Sequence, residues 1–309
     1  MRRKDLLDLR SAEADEIKYI LDTAASFREV LGRPIKKVPT LRGKSVATLF
    51  FEPSTRTRTS FEAAAKILSA DTYSLAGSTS SAVKGESLKD TMLTLDAMGI
   101  DAFVIRHSFS GAAEQASRYV PGKPVINAGD GTHEHPTQGL LDLLTIRDAK
   151  GTLEGIEVAI VGDILHSRVA RSNLWGLHKM GARVRLVGPS TLMPADAASL
   201  PAKIYTNLSE GLAGADVVNV LRIQLERQDS AFFPSTREYA RLFGVNAEKL
   251  KVCNAGVTVL HPGPMNRGIE ISSALADDAG VSLITDQVTN GVAVRMATLF
   301  WLMGAASTS

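Results

Sequence analysis

Between Ser11 and Leu31 the apolar residues Ile17, Ile20, Leu21, Ala24, Phe27, Val30 and Leu31 recur every three or four positions, the spacing of one helix face. Ser11 stands where an N-cap is wanted, and Glu13, Asp15 and Glu16 lie toward the positive end of the helix dipole. The pattern then changes. Short apolar runs at 46–50, 72–76, 102–105 and 125–127 alternate with stretches of helical length around 60–69, 88–98 and 112–119. Strands and helices in alternation make a parallel sheet covered on both faces. A helix is predicted over 136–149, after which the rhythm restarts with runs at 158–161, 184–187, 204–206, 217–221 and 257–260. The stretch from Gly291 to Ala306 is the most apolar. Arg295 interrupts it and it is shorter than the ~20 residues of a membrane span, so it reads as a packed terminal helix.

The expected fold is therefore α/β, with two doubly wound parallel-sheet domains. The first covers 1–135 and the second 150–286; helix 136–149 connects them, and 287–309 is expected to pack back on the first. A chain of 309 residues suits two domains of ~150 each. Open α/β sheets bind ligands beyond the carboxyl ends of their strands, which makes the cleft between the domains the expected active site.

Composition narrows the function. With 44% hydrophobic and 22% charged residues the chain is of the globular class, not the disordered one. Lys and Arg number 35 against 33 Asp and Glu, so the net charge of +2 gives no field for nucleic acid, and affinity for anions must come from local clusters. The single cysteine, Cys253, cannot close an internal disulfide or build a Cys-rich zinc site. The opening segment is basic but meets acidic residues before any apolar run of signal length. A cytoplasmic protein without membrane attachment is expected.

The densest chemistry follows the run at 46–50. Phe51-Glu52-Pro53-Ser54-Thr55-Arg56-Thr57-Arg58-Thr59-Ser60 is read as a hydroxyl-rich turn entering a helix at Phe61. Such an arrangement offers backbone N–H groups, hydroxyls and guanidinium groups to an oxyanion. It is not a Walker loop, which needs Gly-Lys-Ser/Thr after a glycine-rich turn. Arg106 stands at the carboxyl end of another strand; judged alone, it is as readily a solvated arginine. Residues 127–138 leave a strand through a glycine turn, with His135 at or just before a helix start, where the dipole disfavours imidazolium and suits a neutral ring that polarises a carbonyl. His133 and His135 lack a third ligand for a metal, so no metal is expected. Gly162 follows a strand, but the further glycines of a dinucleotide fingerprint are missing, so no nicotinamide or other cofactor is expected. His261-Pro262-Gly263-Pro264 is a rigid turn whose carbonyls can accept from an amide NH₂.

Ser54-Thr55-Arg56-Thr57-Arg58 resembles the carbamoyl-phosphate signature of the aspartate/ornithine transcarbamoylase family, and His135-Pro136-Thr137-Gln138 resembles its second signature. The similarity runs from about residue 41 to 300. It implies that Ser54, Thr55, Arg56, Thr57, Ser80, Lys84, Arg106, His135, Gln138, Pro262 and Gly263 bind carbamoyl phosphate. The loop 80–91 is similar to the mobile loop of the aspartate-specific branch, so Ser80 and Lys84 are expected to enter a neighbouring copy's site within a homotrimer. By the same resemblance Arg168, Arg222, Gln224 and Lys84 hold aspartate, and Arg56, Thr57, Lys84, Arg106 and His135 are the catalytic set. In ornithine-specific members the late turn carries a cysteine where this chain has Pro262, which disfavours ornithine. Some aspartate-specific members have leucine at position 263 and threonine at 221. The expected reaction joins carbamoyl phosphate and L-aspartate to give N-carbamoyl-L-aspartate and phosphate, in pyrimidine synthesis. Further assembly with a dihydroorotase or a regulatory chain is left open.

Overall fold

The computed structural model describes residues 3–76, 86–223 and 235–304. They fall into two compact units, one of residues 1–141 and 289–309, the other of 142–288. The first unit holds α1 (Ala14–Leu31), β1 (Ser45–Phe50), α2 (Thr55–Ile67), β2 (Asp71–Ala76), α3 (Leu88–Ala97), β3 (Ala102–His107), α4 (Ala112–Tyr119) and β4 (Val125–Asp130). Its strands are all parallel in the order β2-β1-β3-β4. Alternate residues of each strand feed opposite faces, as the pleat requires. Val46, Phe50, Val104 and Ile126 pack on one side with Phe61 and Ala64 of α2, while Ala47, Leu49, Phe103 and Ile105 pack on the other with Met92 of α3 and Ala116 of α4. Each buried Val, Leu, Ile, Phe or Met among them contributes about 2 kcal/mol of transfer free energy.

Helix α5 (Pro136–Lys150) contains the division between the units. The second unit continues with β5 (Glu157–Val161), α6 (Arg168–Lys179), β6 (Arg183–Val187), β7 (Lys203–Tyr205), α7 (Leu208–Leu212), β8 (Val217–Val220), α8 (Thr236–Phe243), β9 (Thr258–Leu260) and α9 (Ser273–Ala276). Its sheet is again all parallel, in the order β7-β6-β5-β8-β9. The last helix, α10 (Ile284–Met303), begins in the second unit and returns the chain to the first. There Met296 and Leu299 join the core around Phe61. Arg295, also buried, stacks its guanidinium 5.1 Å from the centroid of the Phe61 ring, a cation–π contact that suits a desolvated cation. Among the described residues no helix is long and apolar enough to cross a membrane.

Two boundaries differ from the pattern-based expectation. Helix α1 is capped by Glu13 rather than Ser11: Glu16 Oε2 accepts from the Glu13 N–H at 2.9 Å, whereas the Ser11 hydroxyl accepts from Arg3. A capping box satisfies the helix's first donors better than a hydroxyl placed two residues too early. Helix α2 starts at Thr55, not near Phe61. The run expected to be a turn is thus the helix's own first turn.

Candidate active site

In a parallel sheet the carboxyl ends of neighbouring strands lie side by side, and β1, β3 and β4 are neighbours in that order. Phe50 pairs with Arg106, and His107 with Asp130. The segments leaving these three ends are 51–57, 106–107 and 130–138, which are the segments that carry the candidate residues of the first unit.

At the first end, Ser54 is the cap of α2, yet its hydroxyl makes no capping hydrogen bond. The first N–H groups of an α-helix have no partner within the helix and carry its positive dipole end. Ser54, Thr55, Arg56 and Thr57 therefore combine hydroxyls, a guanidinium and backbone donors within one turn, with Thr57 buried and Arg56 exposed. Arg58 is spent elsewhere: its Nε lies 3.9 Å from Glu62 one turn along the helix.

Arg106 is held from two sides. Its Nε lies 3.1 Å from Glu52 Oε2, and Nη1 donates to the Ala128 carbonyl at 3.1 Å. A strand-end arginine in open solvent is excluded by these contacts.

The third segment is a hydrogen-bonded knot. Asn127 Nδ2 donates to Leu7 O, Asp130 Oδ1 and Glu134 O at 2.8, 2.7 and 3.2 Å, while Asn127 Oδ1 accepts from Gly129 N. Glu134 in turn accepts from Leu9 N at 2.8 Å and Arg10 N at 3.2 Å. Gly131 has φ +48°, and a Cβ there would stand 2.4 Å from Ser110 Oγ. The knot delivers His135, buried at 4% exposure, immediately before α5, with Gln138 in the helix's first turn. His133 bonds to Asp130, whose carboxylate pulls its pKa above the usual imidazole range; burial pushes His107 below it. The pKa values of these two rings are thus shifted in opposite directions.

In the second unit β5, β8 and β9 are neighbours. Arg168 is the first residue of α6, buried at 4% exposure behind the cap formed by Ser167, whose hydroxyl accepts from Ala170 N at 3.1 Å. Arg222 is half-buried just past β8. Gly162, which leaves β5, has φ +133°, and a Cβ there would meet Leu221 Cβ at 3.1 Å, so glycine lets the two strand ends approach. Past β9, His261 Nδ1 accepts from Gly263 N at 2.8 Å; its Nε2 therefore carries the proton and donates to Glu270 at 3.1 Å. Asn266 ties the same turn to the Arg222 segment by donating to Ile223 O at 2.8 Å. Pro262 and Gly263 are half-buried in the turn so fixed.

Ser80, Lys84 and Gln224 lie outside the described residues. Among the described residues no group of three or more His, Cys, Asp or Glu side chains is placed to hold a metal ion. Burial pushes the Cys253 thiol up to about 11, which leaves it protonated and poorly nucleophilic at neutral pH. The pattern reading missed Glu52, Asn127, Asp130, Asn266 and Glu270. Glu52 had a signal, since it lies two residues past Phe50, the β-partner of Arg106. The others act through contacts that only the folded chain creates.

Comparison with known proteins also divides the chain near α5, although it assigns the last helix to the second part. Residues 4–148 match the carbamoyl-P binding domain of aspartate/ornithine carbamoyltransferase, and residues 154–302 match the Asp/Orn binding domain. The aspartate carbamoyltransferase catalytic subunit of Heliobacterium modesticaldum is 61% identical over 305 residues, 99% of this chain and 97% of that one. That of Moorella thermoacetica is 60% identical, covering 99% of each. Among solved structures, aspartate transcarbamoylase from Trypanosoma cruzi in complex with carbamoyl phosphate superposes with a TM-score of 0.89 at 30% identity, over 98% of this chain and 97% of that chain. Ornithine carbamoyltransferase from Pyrococcus furiosus gives 0.86 at 30%, over 98% of each.

Proposed function

The chain belongs to the aspartate/ornithine carbamoyltransferase family, and we propose that it moves the carbamoyl group of carbamoyl phosphate to the amine of L-aspartate, releasing N-carbamoyl-L-aspartate and phosphate in pyrimidine synthesis. The observation that carries the choice of amino acid is the pair of guanidinium groups leaving neighbouring strands of the second unit, Arg168 after β5 and Arg222 after β8. A dicarboxylate asks for two separate planar cations, whereas ornithine has one carboxylate and a cationic side chain that a second guanidinium would repel. Pro262, at the position of the ornithine enzymes' cysteine, supports the same choice.

Carbamoyl phosphate binds first, its phosphate on the first turn of α2 through Ser54, Thr55, Arg56 and Thr57. The aspartate amine attacks the carbamoyl carbon, the C–N bond forms, and the C–O bond to phosphate breaks. Thr57, Arg106 and His135 stabilise the charge that develops on the carbonyl oxygen, while Arg56 and Lys84 stabilise the departing phosphate. Gln138 and the turn at Pro262 and Gly263 orient the carbamoyl NH₂. The leaving phosphate takes the amine proton. Arg168, Arg222 and Gln224 hold the aspartate carboxylates. Ser80 and Lys84 serve the neighbouring copy, which makes a homotrimer the active unit. The single cysteine and the pyrimidine-pathway chemistry fit a cytoplasmic enzyme without a metal or organic cofactor.

The test is a phosphate-release assay with carbamoyl phosphate and either aspartate or ornithine, joined to calorimetry with a bisubstrate that links a phosphonate to a dicarboxylate. Turnover with aspartate alone and tight bisubstrate binding are expected. Turnover with ornithine, or no heat at micromolar protein, overturns the reading.

A further inference from the structure

One buried carboxylate of the second unit has no part in the chemistry above. Asp142 is fully buried in α5; its Oδ2 accepts from Asn173 Nδ2 at 2.7 Å and from Asn219 Nδ2 at 3.4 Å, and its Oδ1 accepts from Gln287 Nε2 at 2.7 Å. Gln287 is also buried, and its Oε1 accepts from the His261 backbone N–H at 2.9 Å. These bonds admit one assignment. Because the Gln287 oxygen is committed to His261, its amide nitrogen must face Asp142, and only an acceptor can answer it.

The donors reach Asp142 from three separate elements. Asn173 lies on α6, the helix that Arg168 opens; Asn219 lies on β8, which runs into Arg222; and Gln287, on α10, links Asp142 to His261, which immediately precedes Pro262 and Gly263. A core built for stability alone would favour apolar side chains at these positions, since burying a carboxylate carries a desolvation cost that hydrogen bonds only partly offset. What a shared carboxylate adds is a common origin for three segments, each of which carries a residue that the mechanism uses.

We propose that Asp142 is a positioning residue for the amino-acid substrate, setting Arg168, Arg222 and the Pro262 turn in mutual register through Asn173, Asn219 and the Gln287–His261 link. The role rests on the reading of function given above. Asp142 touches no reacting atom. It acts on the side chains and carbonyls that do.

The full-length chain tests this with two variants. Asp142→Asn keeps the shape but places a donor against donors. The paired exchange Asp142→Asn with Gln287→Glu moves the carboxylate across the same bond: the amide at 142 then donates to the carboxylate at 287, which still accepts from His261 N. Asp142→Asn should raise KM for aspartate by about ten- to a hundredfold, the scale of a small misplacement, while binding of inorganic phosphate to the first unit stays within about twofold. Hydrogen exchange at the His261 and Gly263 amides should quicken in parallel. The paired exchange should return both readouts toward wild type. An unchanged KM for aspartate beside a lowered Tm, or a paired variant no better than the single one, overturns the proposal. If Asp142→Asn does not fold, Gln287→Leu breaks the same link and an unaltered KM for aspartate overturns it equally. A wild-type chain that cannot carbamoylate aspartate defeats the functional reading, whereas unchanged exchange at His261 in Asp142→Asn defeats the positioning role by itself.

Discussion

Glu52 and Arg106 form an ion pair, 3.1 Å apart, between the ends of two neighbouring strands of the first unit. The same carboxylate that steadies the guanidinium also competes with an incoming anion for it. Replacing Glu52 by Gln removes both effects. We expect kcat to fall about tenfold from lost orientation, while KM for carbamoyl phosphate changes less than about threefold because the competing charge is gone. Steady-state kinetics at saturating aspartate check this, and a large rise in KM with kcat intact would refute it.

Arg106→Lys is predicted to be worse. A lysine keeps the charge but cannot serve Glu52, the Ala128 carbonyl and a substrate oxygen from one planar fork. A loss of about a hundredfold in kcat is expected, the scale of one removed oxyanion donor. Equal activity in Arg106→Lys would mean that charge alone suffices there.

Stability against pH should show two opposing histidine contributions. The pKa of His133 is raised, mainly by its hydrogen bond to Asp130, so its contribution is complete below the unfolded value of about 6.5 and is lost as pH rises through the raised folded value. The pKa of His107 is lowered, mainly by desolvation, so the fold loses stability as pH falls from about 6.5 toward the lowered folded value. Urea unfolding across this range should steepen on the acid side in His133→Asn and flatten there in His107→Asn. Identical profiles for the two variants would contradict the assignment.

Gly131→Ala places a methyl group where Ser110 Oγ would stand 2.4 Å away, on a backbone with φ +48°. A destabilisation of about 1–3 kcal/mol is expected, read as a shift in the urea midpoint. Because the same turn leads to His135, kcat should fall further than the loss of folded protein explains.

Shared sites are testable by mixing. Neither Lys84→Ala nor Arg56→Ala should turn over alone, but after subunit exchange in equal amounts about a quarter of the sites in random trimers hold both intact residues. Recovery of about that fraction of wild-type activity is expected, and none after proven exchange would exclude donation between copies.

How much of this was written in the chain depends on how local each signal is. The strands were legible because both faces are covered, so residues 46–50, broken only by Thr48, and 102–105 read as short apolar runs. The start of α2 was not, because Ser, Thr and Arg at 54–60 look like turn residues and their helical state is set by the strand and core they follow. Arg295 broke an apolar run for no visible reason until Phe61, more than two hundred residues earlier, supplied its partner. Asn173, Asn219 and Gln287 are unremarkable polar residues in sequence, and their meaning comes only from converging on Asp142. Ser54–Arg58 and His135–Gln138 stood out because each gathers its chemistry within a few consecutive positions.

The knot before His135 has a consequence for folding. Leu6 bonds to Val125 and Asn127 through the backbone, and Leu7, Leu9 and Arg10 bond to Asn127 and Glu134. The backbone of residues 6–10 therefore finds its protein partners only among residues more than a hundred positions later, and is satisfied by water until those are in place. Removing or crowding residues 6–10 therefore loosens the turn that delivers His135, more than a hundred positions along the chain.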